Sequence, residues 1–192
     1  MKFDVIVIGG GLAGMTAAEA LQSAGLKCAV IAEGLSLHNA PRNAFRAAGG
    51  TLLAGDRVTG GDFDGDRLVR VHTEKLGDVA LEAGAFVLAT GKYFSKGIVA
   101  DMDKVYEPLF GLDVEYDADR SGWFDPSFAD PQRFLEFGVK AEDGRALKDG
   151  KPLANVYPAG EVLAGICGAQ GDATETIRKS GLDAADAIRR AR

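Results

Sequence analysis

The chain has 192 residues, 46% of them apolar and 26% charged; this fits one domain, or one domain with a substantial insertion, and excludes disordered, collagen-like and coiled-coil classes. The net charge of −6, from 22 basic and 28 acidic residues, excludes nucleic acid as the main partner, because no basic stripe interrupts the acidic balance. Two cysteines, Cys28 and Cys167, build neither a disulfide framework nor a four-ligand zinc site.

Val5-Ile6-Val7-Ile8 is a β-branched run of the kind buried on both faces of a parallel sheet. Gly9-Gly10-Gly11 turns the chain. Residues 12–24 then read as a helix, with Ala17, Ala18 and Leu21 on one stripe and Gly25 as its stop. Residues 28–32 form a second strand that contains Cys28 as a core residue. Residues 42–48 predict a short helix. Residues 51–53, 68–73 and 79–82, separated by turns such as Asp64-Gly65-Asp66, predict a meander. Residues 85–89 are another buried strand, closed by Thr90-Gly91. An irregular packed insertion with the single tryptophan, Trp123, occupies 92–137. Residues 153–159 are the last strand, and 172–190 a closing helix with Ile177, Ala184, Ala185 and Ile188 inward.

Gly9, Gly11 and Gly14 spell G-x-G-x-x-G directly after a strand and at the opening of a helix. Gly9 permits the tight turn, Gly11 lets the backbone approach a pyrophosphate, and Gly14 allows close helix–strand packing. Leu12 and Ala13 then present helix N-terminal N–H groups and the positive dipole end to the anion. The motif in a strand–helix–strand unit predicts dinucleotide binding. Glu33, nineteen residues after Gly14 by the numbering, is placed either to hold ribose hydroxyls or to stand as a solvated loop carboxylate. The expected class is α/β: one Rossmann-like, three-layer domain over residues 1–192, with a parallel sheet and a small β-meander.

Two later motifs favour a flavin over NAD. Ala89-Thr90-Gly91 closes a strand after the meander, and Val156-Tyr157-Pro158-Ala159-Gly160-Glu161 precedes a glycine-rich loop and the closing helix. This order resembles the FAD domain of the glutathione-reductase type. The resemblance implies non-covalent FAD, rather than FMN, touched by Thr90 and Gly91, by Gly160 and Glu161 near the ribityl–pyrophosphate part, and by N–H groups at Gln170 and Gly171. It also implies a closing helix, with Asp172 and Glu175 at capping-box spacing, aimed at the flavin pyrimidine. Glu161 stands where that type carries Asp. The ribose acid of that type falls seven residues after the helix-ending glycine, which is Ala32 here. Glu33 is one position out and on the other face if strand alternation holds.

Phe86 to Gly91, the stretch 94–100, Glu107-Pro108-Leu109-Phe110-Gly111-Leu112-Asp113-Val114 and residues 159–165 further resemble the B subunits of anaerobic glycerol-3-phosphate dehydrogenase. That resemblance implies a flavin subunit beside a substrate-oxidising subunit and an iron–sulfur, membrane-anchoring subunit, passing electrons to quinone. A stand-alone FAD oxidoreductase and a minimal FAD-binding module are the alternatives. The family carries a large segment where this chain has only the loop 34–41. A partly open flavin edge is therefore expected, rimmed by Tyr93, Phe94, Leu163 and Ile166 and covered by a partner subunit or a second copy; the alternative is that the aromatics of 92–137 form a lid. No residue is designated catalytic. His38 sits in a loop where it could relay a proton, His72 reads as a surface residue, Cys167 lacks a C-x-x-C partner, and Lys92 and Lys96 are expected to be solvated unless they meet an anion. No metal site is expected. The start, with Asp4 and three glycines interrupting its apolar stretch, is not expected to act as a signal peptide. No apolar run reaches the ~20 residues of a membrane span, and the expected location is the cytoplasm, with any membrane association through a partner.

Overall fold

In the computed structural model, which describes residues 1–35, 39–127, 130, 132–169 and 173–192, alternate side chains of the first strand feed two separate cores. Strand β1 (Lys2–Gly10) sends Ile6 and Ile8 to one face and Val5 and Val7 to the other. Both faces are covered, which is why the strand needs an unbroken apolar run rather than polar alternation. On the second face lie α1 (Leu12–Ser23) and the inward side chains of β2 (Cys28–Leu35), together with Phe45 of α2 (Asn39–Ala47). The C-terminal helix α3 (Ala173–Arg190) packs there too, through Ala184, Ala185 and Ile188.

The parallel part of the sheet runs β3–β2–β1–β6–β14, with β3 at Thr51–Ala54, β6 at Leu81–Leu88 and β14 at Val156–Pro158. The antiparallel pair β4 (Val58–Asp64) and β5 (Arg67–Thr73) joins the start of β6 through Arg70 opposite Glu82 and Val71 opposite Leu81. One edge of β6 is thus shared: its first residues pair with β5 and its last three with β14. The chain leaves β1 for β2 on one side and returns for β6 on the other. The carboxyl ends of β1, β2, β6 and β14 therefore meet at a topological switch point, the place where open α/β sheets bind ligands.

Three expectations need correction. Residues 51–53 are not in the meander but form the parallel edge strand β3, and the meander is β4, β5 and the start of β6. The segments expected as separate strands at 79–82 and 85–89 are one strand, continuous through Gly84. The last strand is shorter than expected, at Val156–Pro158.

The insertion packs on the meander side. Short pairs β7 (Val99–Ala100) with β8 (Val105–Tyr106), and β9 (Val114–Glu115) with β10 (Gly138–Val139), punctuate it. Ile98, Val105, Phe110, Leu112, Phe137 and Val139 enter the same core as Ile6 and Phe86. The small ribbon β11 (Ala141–Glu142), β12 (Arg145–Lys148) and β13 (Lys151–Pro152) then leads to β14. Glu107 organises the turn that delivers Phe110 and Leu112. Its buried carboxylate accepts the N–H groups of Leu109 and Phe110 at 2.8 Å each and of Leu112 at 3.4 Å. Burial pushes its pKa above the ordinary 4.5, against the opposing pull of these N–H groups.

Glu107→Ala leaves buried donors without an acceptor and should cost about 3 kcal/mol in urea denaturation. The native state holds this proton more tightly than the unfolded chain. Stability relative to Glu107→Gln should therefore fall as pH rises from 4.5 through the native pKa, measured as urea midpoints at successive pH values.

Candidate functional site

The three glycines of the first turn carry three different constraints. Gly9 has φ +113°, and a Cβ there would lie 2.1 Å from the Ala89 carbonyl oxygen. The end of β1 is therefore pressed against the end of β6, where the Ala89 N–H also donates to the Ile8 carbonyl at 2.8 Å. At Gly14 a Cβ would lie 2.2 Å from the Gly9 carbonyl oxygen, so only glycine lets α1 sit this close to β1. Gly11 is different: it has φ −71°, and beyond its own chain neighbours no atom of the described residues lies within 4 Å of its Cβ position. Protein packing does not require glycine there. The space in front of it is open.

Gly11 is also the N-cap of α1, with no side-chain cap and no acidic residue in the first turn. Its carbonyl accepts the Met15 N–H at 2.9 Å. Among the described residues no side chain accepts from the first-turn N–H groups of α1, and they add to a positive dipole end. A diphosphate is the type of group that such an opening admits.

Two further loops and the helix α3 converge on this edge. Gly160, at φ +78°, would place a Cβ 2.9 Å from Ala13 Cβ, and Gly181 in α3 would place one 2.4 Å from the Ala13 carbonyl oxygen. Ser180 fixes the approach: its Oγ accepts the Gly160 N–H at 2.8 Å and donates to the Ile177 carbonyl at 2.7 Å. Neither Ser180 nor Gly181 is among the expected site residues. Their signal is a Ser-Gly pair inside a helix, which carries a propensity penalty that packing has to explain. The 90–97 loop doubles back so that a Cβ on Gly97 would lie 2.1 Å from the Gly91 carbonyl oxygen, while the Thr90 hydroxyl is buried without a hydrogen-bond partner among the described residues.

The expected site residues divide accordingly. Gly9, Gly11, Leu12, Ala13 and Gly14 form the turn and helix start, with Thr90, Gly91 and Gly160 at the adjoining strand ends. Glu33 is exposed near the end of β2, where the pairing shifts register between Ile8–Ile31 and Gly10–Leu35. Simple alternation therefore does not fix its face. Half-buried Glu161 lies against Gly168, whose Cβ would meet its Oε1 at 2.0 Å. Gln170 and Gly171 lie outside the described residues, as do His38 and the Asp172 half of the expected capping box.

Lys92 corrects the expectation of a solvated lysine. It is 7% exposed and donates from Nζ to the carbonyls of Leu135 at 2.5 Å and Ile166 at 2.7 Å. Lys96 is exposed, at φ +59°. His72 lies on the meander surface, 3.1 Å from Asp62, which also meets Arg70 at 3.2 Å. Cys28 is a core residue whose thiol burial pushes up to about 12; Cys167 is buried too. Of the expected rim, Phe94 is fully exposed, whereas Tyr93, Leu163 and Ile166 are half-buried. Tyr93 packs on Phe134 and donates its hydroxyl to the Phe134 carbonyl at 2.7 Å. Trp123 stacks edge-on against Phe137 at 5.3 Å and belongs to the insertion's own packing.

The strand–turn–helix, the parallel order and the meander define a dinucleotide-binding domain of the flavoprotein type. Comparison with known proteins agrees. The profile described as FAD binding domain matches residues 4–39 and 33–176, two stretches that meet around the shortened loop. The chain belongs to this FAD binding domain family, and FAD is its cofactor. Similar curated proteins include the B subunit of anaerobic glycerol-3-phosphate dehydrogenase from Aliivibrio fischeri (strain MJ11), 37% identical over 169 residues, covering 81% of this chain and 37% of that protein. The protein of the same name from Yersinia enterocolitica is 38% identical over 133 residues, covering 69% of this chain and 31% of that protein. The chain thus spans about a third of the length of these relatives. Among solved structures, thioredoxin reductases from Giardia duodenalis and Streptococcus pyogenes each superpose with a TM-score of 0.60 at 14% identity, over 99% of this chain and 98% of theirs; this is a likeness of fold. No described helix is long and apolar enough to cross a membrane.

Without ligand, Gly11→Ala should leave the melting temperature within about 2 °C of wild type, a surface-like effect. Gly14→Ala should lose about 1–3 kcal/mol through overpacking. Thermal denaturation of the two variants side by side measures this contrast.

Proposed function

We propose that this chain holds FAD by its diphosphate at the Gly9–Gly14 turn and serves as the flavin-bearing, electron-transfer part of a dehydrogenase of the anaerobic glycerol-3-phosphate type. The observation that carries the reading is the open space at Gly11 in front of the uncapped start of α1. The residues fit the group, since that space is a cradle that a Cβ would fill. In this reading the N–H groups of Leu12 and Ala13 bind the diphosphate, and Glu33 reaches the adjoining ribose. Thr90, Gly91 and Gly160 line the path toward the ring system, and Glu161 braces the loop at Gly168 beside it. The expected flavin contacts through the N–H groups of Gln170 and Gly171 belong to the same reading and lie outside the described residues. Bound FAD supplies a two-electron acceptor that can pass electrons on singly.

Among the described residues, the chain's own groups at this edge are mainly main-chain donors and small residues, which bind and orient a cofactor. That suits electron transfer better than acid–base work on a substrate. The likeness to proteins named as one subunit of a dehydrogenase supports a partner chain.

FAD added to the apoprotein at a hundred times its dissociation constant should stabilise it by about 2.7 kcal/mol. Gly11→Val, whose side chain fills the opening, should abolish that gain while the ligand-free melting temperature changes little. No gain in the wild type, or an equal gain in the variant, overturns the reading.

A further inference from the structure

Lys92 joins three segments that are far apart in the sequence. It follows Gly91 beyond the end of β6, and its two acceptors are main-chain oxygens 43 and 74 residues away. Leu135 belongs to a one-turn 3-10 segment, Arg133–Glu136, of the insertion. Ile166 belongs to the loop that follows Gly160–Val162 and precedes Gly168, where the Glu161 carboxylate rests. The two segments also bond each other: the Gly165 N–H donates to the Glu136 carbonyl at 2.8 Å, and the Ala164 N–H to the Val139 carbonyl at 3.1 Å.

A buried ammonium is a costly way to fill space, because its desolvation is not recovered by packing alone. Methionine would occupy a similar volume without that cost. What methionine lacks is donors. Here burial lowers the ammonium pKa, while Cys167, Glu161 and Glu136 within electrostatic reach act to keep the proton on. The two carbonyls complete the arrangement with charge-assisted bonds.

We propose that Lys92 is a positioning residue that clasps the 163–168 loop and the 133–136 turn to the end of β6, so that the flavin-side loop and the insertion order as one unit and FAD affinity depends on the Lys92 donors. The affinity part rests on the FAD reading above. The clasp itself does not.

The test uses Lys92→Met in the full chain, followed by amide hydrogen exchange without FAD and by FAD titration. Protection should fall together at 133–137 and 163–168, while the β1 and β6 amides keep theirs. The FAD dissociation constant should rise by at least about tenfold, as expected when charge-assisted bonds that shape a site are lost. Should the variant not fold, a chain that keeps Lys92 decides by its pH profile. In a Cys167→Ser background, protection corrected for intrinsic exchange should drop in both segments as pH rises through the lowered ammonium pKa and the bonds lose their charge assistance. Independent loss in the two segments, no loss, or a flat pH profile overturns the clasp. Affinity within twofold of wild type overturns the coupling to FAD. A wild type that binds no FAD, with the exchange result intact, overturns the FAD reading and leaves the clasp standing.

Discussion

Around the first turn of α1, four pieces of backbone approach more closely than side chains allow. Gly9 abuts Ala89, Gly14 abuts the Gly9 carbonyl, and Gly160 and Gly181 both abut Ala13. Each contact would be lost to a single Cβ. Together they lock the ends of β1, β6 and β14 and the middle of α3 around one helix start. The consequence is chemical. Among the described residues these contacts leave open space at Gly11, ahead of the uncapped start of α1. An anion can bind there without any cationic side chain, which is compatible with an acidic chain of net charge −6.

The rest of the fold supports that geometry from two sides. The helix-side core seats α1 and α3, and the opposite core seats the meander and the insertion. The insertion is tied down by polar groups at both ends. Glu107 collects backbone N–H groups in its turn, and Lys92 gives its donors to backbone carbonyls near its close. A buried carboxyl and a buried amino group thus do for irregular chain what strand pairing does for the sheet, which is to satisfy main-chain groups away from water.

Much of this is legible in the sequence, because it depends on local chemistry. The β-branched run of β1, the glycine turn, the small residues of α1 and the Gly25 stop specify one another within 25 residues. The Gly25 and Leu26 N–H groups close the helix onto Gln22 and Leu21 as that stop requires. The parts that sequence reasoning misses depend on distant partners. A four-residue apolar run such as Thr51–Ala54 pairs in parallel or antiparallel fashion according to its neighbour, which local pattern does not encode. Strand β4 is hidden because Gly60, Gly61, Asp62 and Asp64 look like turn chemistry. Gly61 is there to make room, since a Cβ would lie 2.7 Å from Leu68 and 2.9 Å from Phe110 of the insertion. The burial of Lys92 is invisible for the same reason: its acceptors are main-chain atoms, and those carry no residue signature.

The central claim is that the diphosphate of FAD sits on the first turn of α1, at the opening before Gly11. A crystal structure of the chain grown with FAD measures this directly. The account predicts phosphate oxygens within hydrogen-bonding distance, about 2.7–3.2 Å, of the Leu12 and Ala13 amide nitrogens, with the ring system running toward Thr90, Gly91 and Gly160. FAD found at another edge of the sheet, or bound with those two amides facing no phosphate, would contradict it.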